Sequence, residues 1–166
     1  MKRTIILIVM MAALAVAFAQ SPISTGQTQL NAGVGLSAWG VPVYAGLDYG
    51  LSRDVSIGAE VSFRSYRQKI AQVYWDHSVL GISGNVNYHF NHILNIPEPW
   101  DFYAGLNLGY YVFNSPSSYP GSYKSQLGIA GQIGGRYYFT DKLGVNLEFG
   151  GGNAFSGGKL GISLKL

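Results

Sequence analysis

Asp76-His77-Ser78 brings together the three side-chain types of a nucleophilic hydrolase: a hydroxyl, an imidazole to take its proton and a carboxylate to orient the ring. The spacing argues against their acting together. Neighbours on an extended chain point to opposite faces, so only Asp76 and Ser78 would share one, and no His-x-Ser pair occurs that would place both groups together. His89 and His92 stand three apart with only Glu98 or Asp101 near them, short of the three or four ligands of a tetrahedral metal site, and chance spacing is the better reading. Gly33 and Gly35 lack the third glycine of a dinucleotide fingerprint, and no phosphate-binding loop occurs. There is no cysteine, which removes disulfides, thiolate ligands, a thiol nucleophile and a lipid anchor. No catalytic residue, cofactor or metal is expected from these patterns.

The elements that carry these residues follow from composition and period. Of 166 residues 48% are hydrophobic and only 11% charged, where a soluble domain has roughly 25% charged. Glycine numbers 23, about double the usual share, without collagen periodicity. Lys2 and Arg3 precede an uncharged run over residues 5–18, and Ala17 and Ala19 occupy the two positions a signal peptidase reads. A leader over 1–19 is expected, followed by a short segment over 20–26 and one domain over 27–166. Without the leader the formal charge falls from +3 to +1, nine basic residues against eight acidic, so the basic balance is no argument for nucleic acid.

Apolar residues then alternate with small or polar ones over residues 30–38, 41–51, 55–64, 80–90, 101–112, 126–139, 143–150 and 159–166. Strict period two argues strands, and eight at this spacing argue an all-β sandwich or barrel. The second face is Gly, Asn, Ser and Gln with few charges. That is a poor water-facing surface and a good lining for a narrow barrel. Apolar residues therefore face lipid and polar ones the lumen, in an eight-stranded antiparallel up-and-down transmembrane β-barrel with a filled polar interior.

The last stretch alternates to the final residue, as it would if the last strand paired with the first. Lys159, Gly161, Leu164 and Leu166 resemble the C-terminal assembly signal of outer-membrane β-barrel proteins, with Leu where such proteins usually end in Phe. Residues 27–166 as a pattern are similar to small outer-membrane barrels of the OmpA/OmpX type. The resemblance implies an outer-membrane location and partners in outer-membrane lipid, lipopolysaccharide, the barrel assembly machinery and periplasmic chaperones. A monomer is expected, with a non-enzymatic envelope structural or surface-interaction role; the alternatives are a lipid-A-modifying enzyme, which some barrels of this resemblance are, and a narrow small-solute channel.

With both termini periplasmic, 51–54 and 140–142 are expected as short periplasmic turns and 91–99 as a long connection. Outer loops are expected over 66–77, 114–124 and 150–158, with a very short one at Trp39-Gly40. Tyr49, Tyr88, Phe90, Trp100, Phe102, Tyr137 and Phe139 would form the lower aromatic girdle, and Trp39, Phe63, Tyr74, Trp75 and Tyr110 the upper. Counting along the strands puts Asp48, Glu60, Glu148, Arg136 and Lys165 in the periplasmic half of the lumen with Arg64 higher. Isolated charges there would cost several kcal/mol each, so a compensated network centred on Arg136 with Glu60 and Glu148 is expected, acting as a plug rather than a gated path. The outer loops offer Tyr119 and Tyr123 in a Tyr-, Ser- and Pro-rich segment, Tyr74 and Trp75 beside it, and Arg67 and Lys69 for lipopolysaccharide phosphates.

Overall fold

The computed structural model describes residues 23–37, 40–70, 72–121, 124–153 and 156–166. The expected leader, residues 20–22 of the segment before the barrel, Trp39 and Tyr123 lie outside the described residues. Eight strands and no helix occur among those described: β1 Thr28–Ser37, β2 Val43–Gly50, β3 Val55–Ile70, β4 Val73–His89, β5 Trp100–Asn114, β6 Gln126–Tyr138, β7 Leu143–Gly152 and β8 Ser156–Lys165. Each pairs antiparallel with the next, and β8 closes on β1 from Gln29↔Lys165 to Ser37↔Gly157. The closing register uses the last stretch of the sequence, so no sheet edge is left open at that seam.

Side chains alternate across the wall as the period-two pattern requires. Leu47, Val61, Ile82, Leu106, Ile129, Leu147 and Ile162 are all exposed on the outside, while Asn31, Asp48, Asn87, Asn107, Gln132, Arg136, Asn146 and Ser163 are buried inside. This is the inverse of a soluble barrel, and it matches a wall bathed in hydrocarbon around a polar interior. Glycine lets the narrow barrel close where large side chains come inward. Gly33 and Gly161 are register partners across the β1–β8 seam, and a Cβ at Gly161 would strike the Ala32 carbonyl and the Tyr44 hydroxyl. At Gly134 the same space is taken by the ring and hydroxyl of Tyr103.

The two ends of the barrel differ. At the turn end, 51–54 and 139–142 join β2 to β3 and β6 to β7, and the longer 90–99 joins β4 to β5. At the loop end two expectations are corrected. Residues 66–77 are mostly strand: β3 and β4 stay paired out to Ile70↔Val73, and Gln72 adopts φ 68° in the tight turn between them. The β2 and β5 neighbours stop at Phe63 and Ser78, so a two-stranded ribbon stands clear of the wall. The expected loop over 150–158 shrinks because β7 and β8 pair to Gly151↔Ser156. The connection over 115–125 remains the one long outer loop among the described residues.

Candidate functional site: the charged interior and its aromatic cap

Two cations brace the lumen, and each holds one carboxylate beside it and one across the barrel. Arg136 on β6 is the register partner of Asp101 on β5, and its guanidinium reaches Asp101 Oδ2 at 3.2 Å. Its other arm crosses to Asp48 on β2, four strands round, at 2.6 Å. Lys159 on β8 is the register partner of Glu148 on β7, at 2.7 Å, and spans to Glu60 on β3 at 2.8 Å. The expected network centred on Arg136 with Glu60 and Glu148 is thus corrected: those two acids belong to Lys159, and Arg136 takes Asp48 and Asp101. Reach explains the exchange, because the register puts Arg136 lower in the lumen than the Glu60–Glu148 layer. Lys159, read from sequence only as part of the terminal signal, turns into the lumen with Gly161, while Leu166 stays exposed. Leu164, their companion in that signal, is half-buried opposite Leu30 and Leu143.

Aromatic rings lie against these cations. The Arg136 guanidinium sits 4.4 Å from the Tyr103 ring centre, and Tyr103 donates to Glu148 at 2.9 Å, linking the two braces. Lys159 lies 5.1 Å from the Tyr44 ring and Lys165, buried near the turn end, 4.0 Å from that of Tyr138. Arg64 is buried higher in the lumen and donates to Ser37 Oγ at 3.3 Å. The interior thus balances four acids, Asp48, Glu60, Asp101 and Glu148, against four bases, Arg64, Arg136, Lys159 and Lys165.

Amides and hydroxyls fill the rest of the cross-section. Tyr44 donates to Asn146 at 2.8 Å, Asn146 to Ser163 at 3.0 Å, Ser163 to Asn31 at 2.7 Å, and Asn31 to Asp48 at 2.9 Å. Tyr138 donates to Gln29, and Gln132 to Asn87 at 2.7 Å. Cavities of about 30 and 20 Å³ remain on either side of the layer formed by Tyr44, Glu60, Glu148 and Lys159. Each is of the size that holds about one water, and that layer separates them.

The loop end is capped by aromatics. Tyr66 stacks on His77 with ring centres 5.1 Å apart, and Tyr119, on the long outer loop, meets His77 edge-on at 4.6 Å and Trp75 at 5.6 Å. Tyr119 donates to Gln68 at 3.2 Å, and Ser115 lies 2.8 Å from His77 Nδ1. Trp75 therefore faces the mouth rather than the expected upper girdle, because it shares the inward parity of His77. On the outward face of the ribbon Arg67 pairs with Asp76 at 2.7 Å, and Lys69 lies 5.4 Å from the exposed Tyr74 ring. Of the residues read as outer contacts, Arg67, Lys69 and Tyr74 are presented outward, whereas Trp75 and Tyr119 pack against each other.

Asp76, His77 and Ser78 diverge as expected, with His77 buried and Asp76 exposed. His92 stands 3.5 Å from Asp54, while His89 bonds Asp101 at 2.7 Å and Ser56 at 2.9 Å. No cluster of three or more metal-ligating side chains occurs among the described residues. Three interior residues, Ser56, His89 and Asp101, come from three different strands, and no local motif joins them. The signal in the sequence was inward parity alone.

No family model and no curated protein matches this chain. Among solved structures it is similar to the outer-membrane protein OprG of Pseudomonas aeruginosa, with a TM-score of 0.63 at 11% identity over 86% of this chain and 97% of that one. It is similar to the N-terminal β-barrel domain of Pseudomonas aeruginosa OprF, at 0.56 and 17% identity over 86% and 98%. A de novo designed transmembrane β-barrel matches at 0.54 and 18% identity over 90% and 100%. These likenesses show the fold, that of small eight-stranded transmembrane barrels, outer-membrane proteins among them.

Proposed function

We propose that this chain is a monomeric outer-membrane barrel with a plugged lumen, serving an envelope structural and surface-interaction role. The observation that carries this reading is the inverted wall: a continuous apolar exterior around an interior in which Arg136 and Lys159 each brace two carboxylates. The turn end faces the periplasm and the ribbon and long loop face outward, as short turns and long loops are distributed in such barrels. Interaction is then the task of the ribbon. Its outward face continues the lipid-facing wall beyond the membrane, which sets Arg67, Lys69 and Tyr74 at the level of lipopolysaccharide headgroups, where cations meet phosphate through charge-assisted hydrogen bonds. Arg67 already holds Asp76, so Lys69 is the cation with more to give. Lys159, Gly161, Leu164 and Leu166 serve assembly-machinery recognition before folding, and chaperones meet the unfolded chain in the periplasm.

Fractionating envelopes of an expressing Gram-negative host tests location, and protease clipping of intact cells at the ribbon tests orientation. Recovery in the outer membrane with clipping at 67–76 is expected; recovery in the soluble periplasm would overturn the reading. Binding of the purified barrel to lipopolysaccharide, reduced in Lys69→Ala and unaffected by a substitution at the turn end, is expected. A plugged lumen predicts no conductance in planar bilayers.

A further inference from the structure

Three side chains on adjacent strands stand in nucleophile, base and acid order at the turn end of the lumen. Ser56 Oγ on β3 lies 2.9 Å from His89 Nε2 on β4, and His89 Nδ1 lies 2.7 Å from Asp101 Oδ1 on β5. The other Asp101 oxygen accepts from Arg136. A carboxylate engaged in this way only accepts, so Nδ1 carries the hydrogen. In the neutral ring Nε2 is then the acceptor for the Ser56 hydroxyl. This is the relation in which an imidazole takes a serine proton as the oxygen attacks an acyl carbon, and such a relation is recognised by geometry rather than by position in sequence. A plug needs only satisfied groups; it does not need this order.

Access to Ser56 is closed by Ile23 and the Ser24 backbone over the neighbouring strand, and Ser56, His89 and Asp101 do not themselves line the turn-end cavity. Ser56 is 1% exposed, and its register partner on β2 is Gly50. Ile23, itself buried, lies over Gly50: a Cβ added there would sit 3.1 Å from Ile23 Cγ2 and run into the Ser24 carbonyl. Ile23 also lines a cavity of about 350 Å³ at the turn-end mouth, with Asp54, Asn91, His92 and Glu98 around it. That volume lies at the small end of ligand sites. The segment carrying Ile23 is tied down by backbone hydrogen bonds of Gly26 and Gln27 to Gly50, so the Ile23 side chain can turn without unpairing β2.

We propose that Ser56 is a nucleophile for small carboxylic esters that enter from the turn-end cavity when Ile23 turns aside, with His89 as its base and Asp101 as the positioning residue. In the acyl transfer the bond from Oγ to the acyl carbon forms and the bond to the leaving alkoxide breaks. The Ser56 proton passes through His89 Nε2 to the departing alcohol.

The test incubates the folded barrel in detergent with a fluorophosphonate at neutral pH and maps the adduct by mass spectrometry, with p-nitrophenyl acetate as the ester probe. Expected are one adduct at Ser56, its loss in Ser56→Ala, labelling about 10²-fold slower in His89→Gln, and a burst of p-nitrophenol that follows the same pattern. Ile23→Gly, and the milder Ile23→Ala, label faster than the parent; labelling in these variants alone also supports the proposal, with Ile23 as a closed door. Each protein is scored only in its folded, heat-shifting form. Absence of an adduct from the folded parent and from both Ile23 variants overturns the proposal, and so does labelling that persists in Ser56→Ala.

Discussion

The energetic weight of the interior rests on Lys159 and Arg136, because each is the cation shared by two inward-facing carboxylates. Lys159→Met leaves Glu60 and Glu148 without their shared cation, and breaking a buried pair from one side costs about 3–5 kcal/mol. The triple variant Glu60→Gln, Glu148→Gln, Lys159→Met removes the uncompensated charge and recovers most of that loss. Urea midpoints of the folded barrel in detergent measure both. At the outer rim the effect is one of pH. The hydrogen bond from Arg67 holds the exposed Asp76 carboxyl below its ordinary value of 3.8. The pair's contribution is therefore present above that ordinary value and is lost as pH falls through the lowered one. An NMR titration of Asp76 should show the lowered midpoint, and Arg67→Gln should return it toward 3.8. That Asp48, Glu60, Arg136 and Glu148 point inward was legible from period two; which charges meet was not. Pairing depends on register across strands and on reach across the lumen, and neither leaves a mark in the local sequence around Lys159.

Strand existence was legible wherever the wall touches lipid, since there every second residue is apolar. The signal fails where a strand leaves the membrane. Over residues 65–70 polar side chains stand on both faces of β3, so the alternation that marks residues 55–63 disappears although the backbone ladder to β4 continues. The same holds for residues 150–152 and 156–158, where glycines carry no side chain to alternate. Cross-strand hydrogen bonds, a two-residue turn and the contacts of Tyr119 with Trp75 and Gln68 hold the ribbon together, outside the closed wall. It should accordingly be dispensable for folding. Replacing residues 67–76 by Asn-Gly leaves Tyr66 and His77 as the closing pair of a tight hairpin. This variant is expected to keep the heat-shifted mobility of the parent while losing binding to lipopolysaccharide. Loss of the folded form instead would give the ribbon a structural role.

At the scale of the whole molecule, the fold depends on which side of the wall meets lipid. Leu106, 67% exposed on β5, sits in the outward apolar band far from both ends of its strand. In a bilayer Leu106→Arg should cost about 2–4 kcal/mol near the midplane, whereas Tyr74→Arg, at an exposed position on the ribbon beyond the membrane, should change stability by only about 0.5 kcal/mol. Folding equilibria in lipid vesicles separate the two. The most direct measurement is electrophoretic mobility of the purified protein in detergent, unheated and boiled, read together with far-ultraviolet circular dichroism. A closed transmembrane barrel predicts a faster-migrating β-rich species that shifts to the unfolded position only on boiling. A single mobility at both temperatures, from protein that stays in solution without detergent, would contradict the account and put the apolar face inside.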